Sequence, residues 1–205
     1  MADYRKINGY FKRAEDVLLA SAGLILAVPA FVIVPILSKI ENPRGKVYFK
    51  HKRVGNRGEF YALKFRTMDE AEGNDQYWEN DSDMYVFTDR TRITKLGRFL
   101  RKYSIDELPQ FINIIRGEMS FVGPRPVTPK EKERMTGAGY GKRFECPQGL
   151  TGLAQTDPRW KVKSDLTLSL DIEYVNRYEN GFIGPADAGI VFDTLMSLTE
   201  GVGKS

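Results

Sequence analysis

The chain is poor in the residues that most often build thiol and metal sites. Among its 205 residues there is one cysteine, Cys146, and one histidine, His51. A single cysteine excludes an internal disulfide and a thiolate zinc site, and it suits a reducing compartment. A single histidine excludes a histidine metal cluster. A Ser-His-Asp triad stays formally open, but His51 sits in the basic run Lys50-His51-Lys52-Arg53, which reads as surface. There is no G-x-x-x-x-G-K-[ST] phosphate loop, no internal repeat and no low-complexity tract. The acidic stretch 69–89 lacks EF-hand spacing and reads as a surface loop, as does the glycine-rich run 137–141.

What is present begins with an apolar run. Residues 17–37 carry no charge, close to the ~20 residues that cross a bilayer. The run is too long for a signal-peptide core and holds Pro29 and Pro35. Pro29 lies mid-segment, where it removes a helix hydrogen bond and forces a kink or break. Both flanks are basic: Arg5, Lys6, Lys12 and Arg13 precede the run, and Lys39, Arg44, Lys46 and Lys50 follow it. Positive charge marks the cytoplasmic side, so a spanning helix would put one basic flank on the wrong face. These features predict a re-entrant helix that breaks at Pro29 and returns. The length suits one domain with an appendage, so the division expected is a membrane segment over 1–40 and a cytoplasm-facing domain over 41–205. The fold expected is α+β, mainly helical with a small β-hairpin. That hairpin is read from the apolar stretches 47–49 and 60–63 around Gly55-Asn56-Arg57-Gly58.

The chemistry points to Ser104-Ile105-Asp106-Glu107-Leu108-Pro109-Gln110. Ser104-x-x-Glu107 predicts a capping box. Leu108, Phe111, Ile112 and Ile115 predict a helical face, and Gly117 its stop. Asp106 and Glu107 would then lie in a first helical turn, where free amides favour carboxylates and attract phosphate. Taken alone, two acids there read first as ordinary capping and only second as a carboxylate nucleophile aimed at phosphorus. Arg90, Arg92, Lys95, Arg98, Arg101 and Lys102 form a basic stripe with Leu96, Phe99 and Leu100. Its partner could be a membrane surface, a diphosphate or nucleic acid, and the acidic and apolar neighbours argue against the last. Lys64 and Arg66 read as a solvated edge or as phosphate contacts. Arg125, held between Pro124 and Pro126, is presented from a stiff backbone. The stretch 166–178 is a helix or strand holding Asp171. The apolar stripe Ile190, Val191, Leu195 and Leu198 suits core packing or a bilayer surface.

Over nearly its whole length the chain resembles the bacterial sugar transferases, the monotopic phosphoglycosyl transferases, in their minimal form. The resemblance rests on the proline-broken N-terminal segment, Arg53-Val54-Gly55, residues 64–68, residues 96–102, residues 104–110 with Asn113, residues 116–126 and residues 149–155. It departs from the family pattern at Val28-Pro29, where the family often has Ser-Pro, and at Pro147-Gln148 before the Gly-x-Thr-Gly turn. The resemblance implies a magnesium-dependent transfer of a sugar-1-phosphate from a UDP-sugar to polyprenol (undecaprenyl) phosphate. UMP would be released, at the cytoplasmic face of a bacterial inner membrane, as the first membrane step of glycoconjugate assembly. It implies Asp106 as the nucleophile that carries a covalent phosphosugar, with Glu107 its magnesium-associated partner. Arg101, Arg125, Lys64 and Arg66 become phosphate-binding positions, and Asp171 a further acidic one. Membrane lipid is an implied partner and nucleic acid is not; a homodimer stays open. The competing reading is a non-catalytic anchored module that binds anionic lipid or glycan-assembly proteins.

Overall fold

The computed structural model describes residues 4–69, 92–157, 164–181 and 183–199. Arg90 and nearly all of the acidic stretch lie outside them. The described chain is mainly helical. A long α1 (Tyr4–Glu41) is followed by the hairpin β1 (Tyr48–Gly55) and β2 (Gly58–Phe65), then α2 (Lys95–Lys102), α3 (Gln110–Arg116) and β3 (Ser120–Val122). After these come α4 (Pro129–Gly137), β4 (Gly149–Thr151), the short α5 (Leu153–Thr156), α6 (Ser164–Asn180) and α7 (Gly184–Thr199). The hairpin pairs in full antiparallel register from Tyr48 with Phe65 to Gly55 with Gly58. It is longer than expected because its cationic residues alternate outward along the ribbon. A second, parallel pair joins β3 to β4, Ser120 opposite Gly149 and Val122 opposite Thr151.

Pro29 does not end α1, and Pro35 lies inside it as well. Proline costs one helix bond and lets the remainder kink rather than stop. The helix is apolar and long enough to cross a membrane by length and composition. Yet one of its faces lies on the rest of the fold from end to end. Ala20, Ala27 and Val34 are buried at seven-residue spacing, with Leu24 and Phe31 between them. Near its start, Asn8 donates to the carbonyls of Tyr178 and Gly181. Arg13 donates to the carbonyls of Ile114 and Ile115 at the end of α3. At its close, the Glu41 carboxylate accepts from the Leu96 amide at 3.2 Å. The opposite face exposes Leu18, Ile25, Leu26, Val32 and Ile36. So many apolar side chains turned outward suit lipid rather than water.

A buried polar knot fixes the first turns of α1. Lys12 pairs with Asp16 at 3.3 Å and with Asp187 of α7 at 2.9 Å. Asp16 accepts from Ser120 Oγ and from the Phe121 amide, both at 2.8 Å, and so grips β3. Two apolar cores flank this knot. One packs Ala20 and Ala27 against Phe60, Phe111, Ile114 and Met119; the other gathers Val122, Cys146, Tyr174, Val175 and Ile190. Of the C-terminal stripe, Ile190 is buried and Val191 packs against the same core, while Leu195 faces outward beside Phe192 and Met196; the Leu198 side chain lies outside what is described.

Candidate active site

The capping box at Ser104 does not form. Ser104 takes a left-handed conformation (φ 54°, ψ 22°) without a side-chain cap. Its own amide is used on the Arg101 carbonyl at 3.2 Å. Residues Ile105–Glu107 make a single 3-10 turn, and the α-helix starts only after Pro109, whose fixed φ and missing N–H suit a helix start. The predicted stop is as expected: Gly117 closes α3 at φ 78°, a conformation that favours glycine. With only seven residues in α3 and its start past the acid pair, the expected help from helix-end amides falls away. The face that packs is Phe111 and Ile114 rather than Phe111, Ile112 and Ile115.

What sets the acid pair is the surrounding cations. Asp106 and Glu107 are 9% and 8% exposed. One oxygen of Glu107, Oε1, accepts from Lys64 Nζ at 2.8 Å and from Arg125 at 2.9 Å. This double demand explains why Glu107 does not reach back to cap Ser104. Asp106 makes no ion pair within 4 Å among the described residues. Burial pushes its carboxyl up to about 6, the charge of Glu107 adds to that, and Lys64 and Arg101 act in the opposite sense. At neutral pH it is still largely ionised, buried and without a bonded counterion, which leaves its oxygens available to an electrophile.

The other predicted positions divide. Lys64 and Arg125 meet at Glu107. Arg101 lies close enough for Asp106 to act on its charge, and its Nε donates to Thr67 Oγ1 at 2.9 Å. Arg66 goes elsewhere: it donates to the carbonyls of Lys46 and Met68 and pairs with Asp69, holding the chain where the hairpin ends. Asp171 pairs with Arg143 at 2.6 Å, and burial raises its carboxyl against that pairing. Thr67 and Arg143 are partners that the sequence reading did not assign. Thr67 stands inside a quoted motif, but nothing in the sequence singles out Arg143, whose role arises only from contacts across the fold. Asn113 follows the acid-pair motif, and the fold supplies its role. It is fully buried, its Oδ1 accepts from the Leu63 amide at 2.9 Å, and its Nδ2 donates to the Tyr61 carbonyl and to Glu118. It thereby sets β2, and so Lys64, against α3.

Two glycine-rich motifs turn out to support each other. A Cβ on Gly149 would stand 2.1 Å from the Gly123 amide nitrogen, and one on Gly123 would stand 2.2 Å from the Pro147 carbonyl oxygen. The Gly149 amide donates to the Pro124 carbonyl at 2.9 Å. The Gly-x-Thr-Gly turn therefore braces the backbone that presents Arg125. Gln148, in the stretch that departs from the family pattern, is buried, and its amide donates to the carbonyls of Arg143 and Cys146.

No cluster of three or more histidine, cysteine or acidic side chains stands together among the described residues. A self-sufficient metal cage is thus not formed by them. Two adjacent carboxylates are, however, a hard oxygen donor set of the kind that holds magnesium together with a substrate's phosphates.

Comparison with known proteins shows the family. Residues 7–201 match the family described as bacterial sugar transferase. The chain is 40% identical over 201 residues to the exopolysaccharide production protein ExoY of Rhizobium meliloti, covering 93% of this chain and 86% of that protein. It is 37% identical over 199 residues to the UDP-glucose:undecaprenyl-phosphate glucose-1-phosphate transferase of Escherichia coli, covering 92% of this chain but 40% of the longer relative. It is 33% identical over 187 residues to the undecaprenyl-phosphate galactose phosphotransferase of Salmonella typhimurium, covering 85% of this chain and 38% of that protein. A family match over residues 7–201, with a relative 40% identical across most of both chains, places the chain in the bacterial sugar transferase family.

Proposed function

We propose that the protein moves a sugar-1-phosphate from a UDP-sugar to a polyprenol phosphate through a covalent intermediate on Asp106. The observation that carries this reading is the unequal treatment of two neighbouring acids. Glu107 is held by Lys64 and Arg125, while Asp106 is buried with no ion-pair partner among the described residues. A carboxylate oxygen of Asp106 attacks the phosphorus that bears the sugar. The bond from that phosphorus to the bridging oxygen breaks, and UMP leaves with the electron pair. An oxygen of the polyprenol phosphate then attacks the same phosphorus, the acyl phosphate bond breaks, and Asp106 returns as a carboxylate. Splitting the transfer means that the nucleotide and the lipid need not be bound together.

Arg101 and Arg125 stabilise the charge on the transferring phosphoryl oxygens, and Lys64 orients Glu107. Glu107 and Asp106 would hold magnesium at this site, and it would supply charge neutralisation to the diphosphate. The relatives' names supply the acceptor class, undecaprenyl phosphate, and two of them name glucose-1-phosphate or galactose phosphate as the group moved.

The site is proposed to face the cytoplasm, with α1 entering and leaving on that same side. Support comes from its two ends: Asn8 and Glu41 bond to one folded unit, and both flanks are basic. The test is UMP release from UDP-sugars with magnesium and a polyprenol phosphate in detergent or nanodiscs, with Asp106→Asn beside it. The expected result is UMP from the parent chain, a covalent phosphosugar adduct on Asp106 by mass spectrometry when the acceptor is withheld, and neither from the variant. Undiminished turnover in Asp106→Asn would exclude this mechanism.

A further inference from the structure

We propose that Arg143, locked by Asp171, is a positioning residue that holds the backbone of Arg125 so that its guanidinium stays on Glu107. This rests on the phosphosugar transfer proposed above and assigns to that site two side chains that touch neither of its acids.

The contacts run in one direction. Arg143 is 2% exposed and Asp171 3%. Nε and one terminal nitrogen of Arg143 donate to Asp171 Oδ2, at 3.1 and 2.6 Å. The same terminal nitrogen donates to the main-chain carbonyl of Arg125 at 3.0 Å. The preceding carbonyl, that of Pro124, accepts from the Gly149 amide. Two consecutive carbonyls are therefore fixed, on a segment already stiffened by Pro124 and Pro126. The Arg125 side chain, by contrast, is about one-third exposed, with a long flexible stem. Its aim depends on where its backbone is held.

Energetics favour a role beyond stability. Burying a guanidinium and a carboxylate costs several kcal/mol in desolvation, and apolar residues of similar size often serve a fold as well or better. A buried pair that also carries a backbone carbonyl of a phosphate-binding segment does something such a replacement could not. Lysine has one nitrogen and no fork, so Arg143→Lys cannot hold Asp171 and the Arg125 carbonyl in this planar geometry.

The experiment is a double-mutant cycle between positions 143 and 125, read as UMP release and accompanied by thermal melts. Arg143→Lys alone is expected to lower kcat/KM by about 10- to 100-fold, through misplacement of a phosphate-binding group. In an Arg125→Lys background the same change is expected to cost under about threefold, since the group it positions is already gone. Losses that multiply independently would overturn the proposal. Asp171→Asn, which is isosteric, is carried through the same cycle in case Arg143→Lys fails to fold. If both variants lose their cooperative melt, the pair serves stability alone and the proposal falls. An unsubstituted chain that releases no UMP sinks the transfer reading instead, so the two failures are distinct.

Discussion

Arg125 donates to Oε1 of Glu107 at 2.9 Å, across 18 residues of sequence, and not to the neighbouring Asp106. Lys64 makes the same choice. Had either cation bonded Asp106 instead, its carboxylate would be a stabilised anion and a poorer nucleophile. By gathering charge on one acid, the fold keeps the other reactive at a site where phosphate will still meet cations.

This arrangement makes Glu107 a regulator of its neighbour. The charge of Glu107 raises the Asp106 carboxyl, whereas Lys64 and Arg101 lower it. In Glu107→Gln the opposing charge disappears and Lys64 is released toward Asp106. The acid limb of the residual kcat/KM profile is expected to move to lower pH than in the parent, where the raised Asp106 carboxyl sets an expected limb near pH 6. The maximal rate should fall at the same time. A limb that stays in place would disconnect the two acids.

Asp106 should also cost stability. Its folded value of about 6 lies above its ordinary 3.8, so between those values the folded chain holds more protons than the unfolded one. Stability is then full below about pH 4 and is lost as pH rises through 6. Asp106→Asn removes that loss. At pH 8 it is expected to be more stable than the parent by up to about 3 kcal/mol, a gain that vanishes near pH 4. Urea melts at the two pH values measure it; an equal difference at both would refute the burial argument.

The hairpin, the helical content, the closure of α3 at Gly117 and the grouping of Lys64, Arg125 and the acid pair were legible in the sequence. Each depends on a local pattern or on a motif that the whole family resemblance carries. The capping box was not, because the competitor for the Glu107 carboxylate comes from β2 and from the segment after β3. Arg66 could not be sorted from Lys64 by composition, since two cations two residues apart share one strand face until a bend separates them. Arg143 was invisible for the same reason in a stronger form: its partners stand 18 and 28 residues away, and no spacing rule reaches that far. The course of α1 was half legible. Basic flanks and prolines speak of the membrane, while the seven-residue burial rhythm shows that one face belongs to the protein.

Asn113 should be intolerant of apolar replacement. Its amide serves the Leu63 amide, the Tyr61 carbonyl and Glu118 from a fully buried position. Asn113→Leu keeps the volume but strands those groups. A loss of about 2–4 kcal/mol is expected in denaturant melts, from unpaired buried polar atoms. Residual activity should fall further than Asn113→Asp, which keeps an acceptor for the Leu63 amide. Equal behaviour of the two variants would mean that the β2–α3 register does not depend on this side chain.

The course of α1 can be read by thiol labelling, because the native background is silent. Cys146 is fully buried, and burial pushes its thiol up to about 12. The reactive thiolate is therefore scarce and shielded at neutral pH. Lys6 and Arg44 are exposed and stand on either side of the apolar helix. Single variants Lys6→Cys and Arg44→Cys are expected to react with a membrane-impermeant maleimide to similar extents in sealed inside-out vesicles, and hardly at all in intact spheroplasts. A helix that spans would label at one position in each preparation. That result would separate the ends of α1 across the bilayer, and it would require the bonds of Asn8 to α6 and of Glu41 to α2 to break in the membrane.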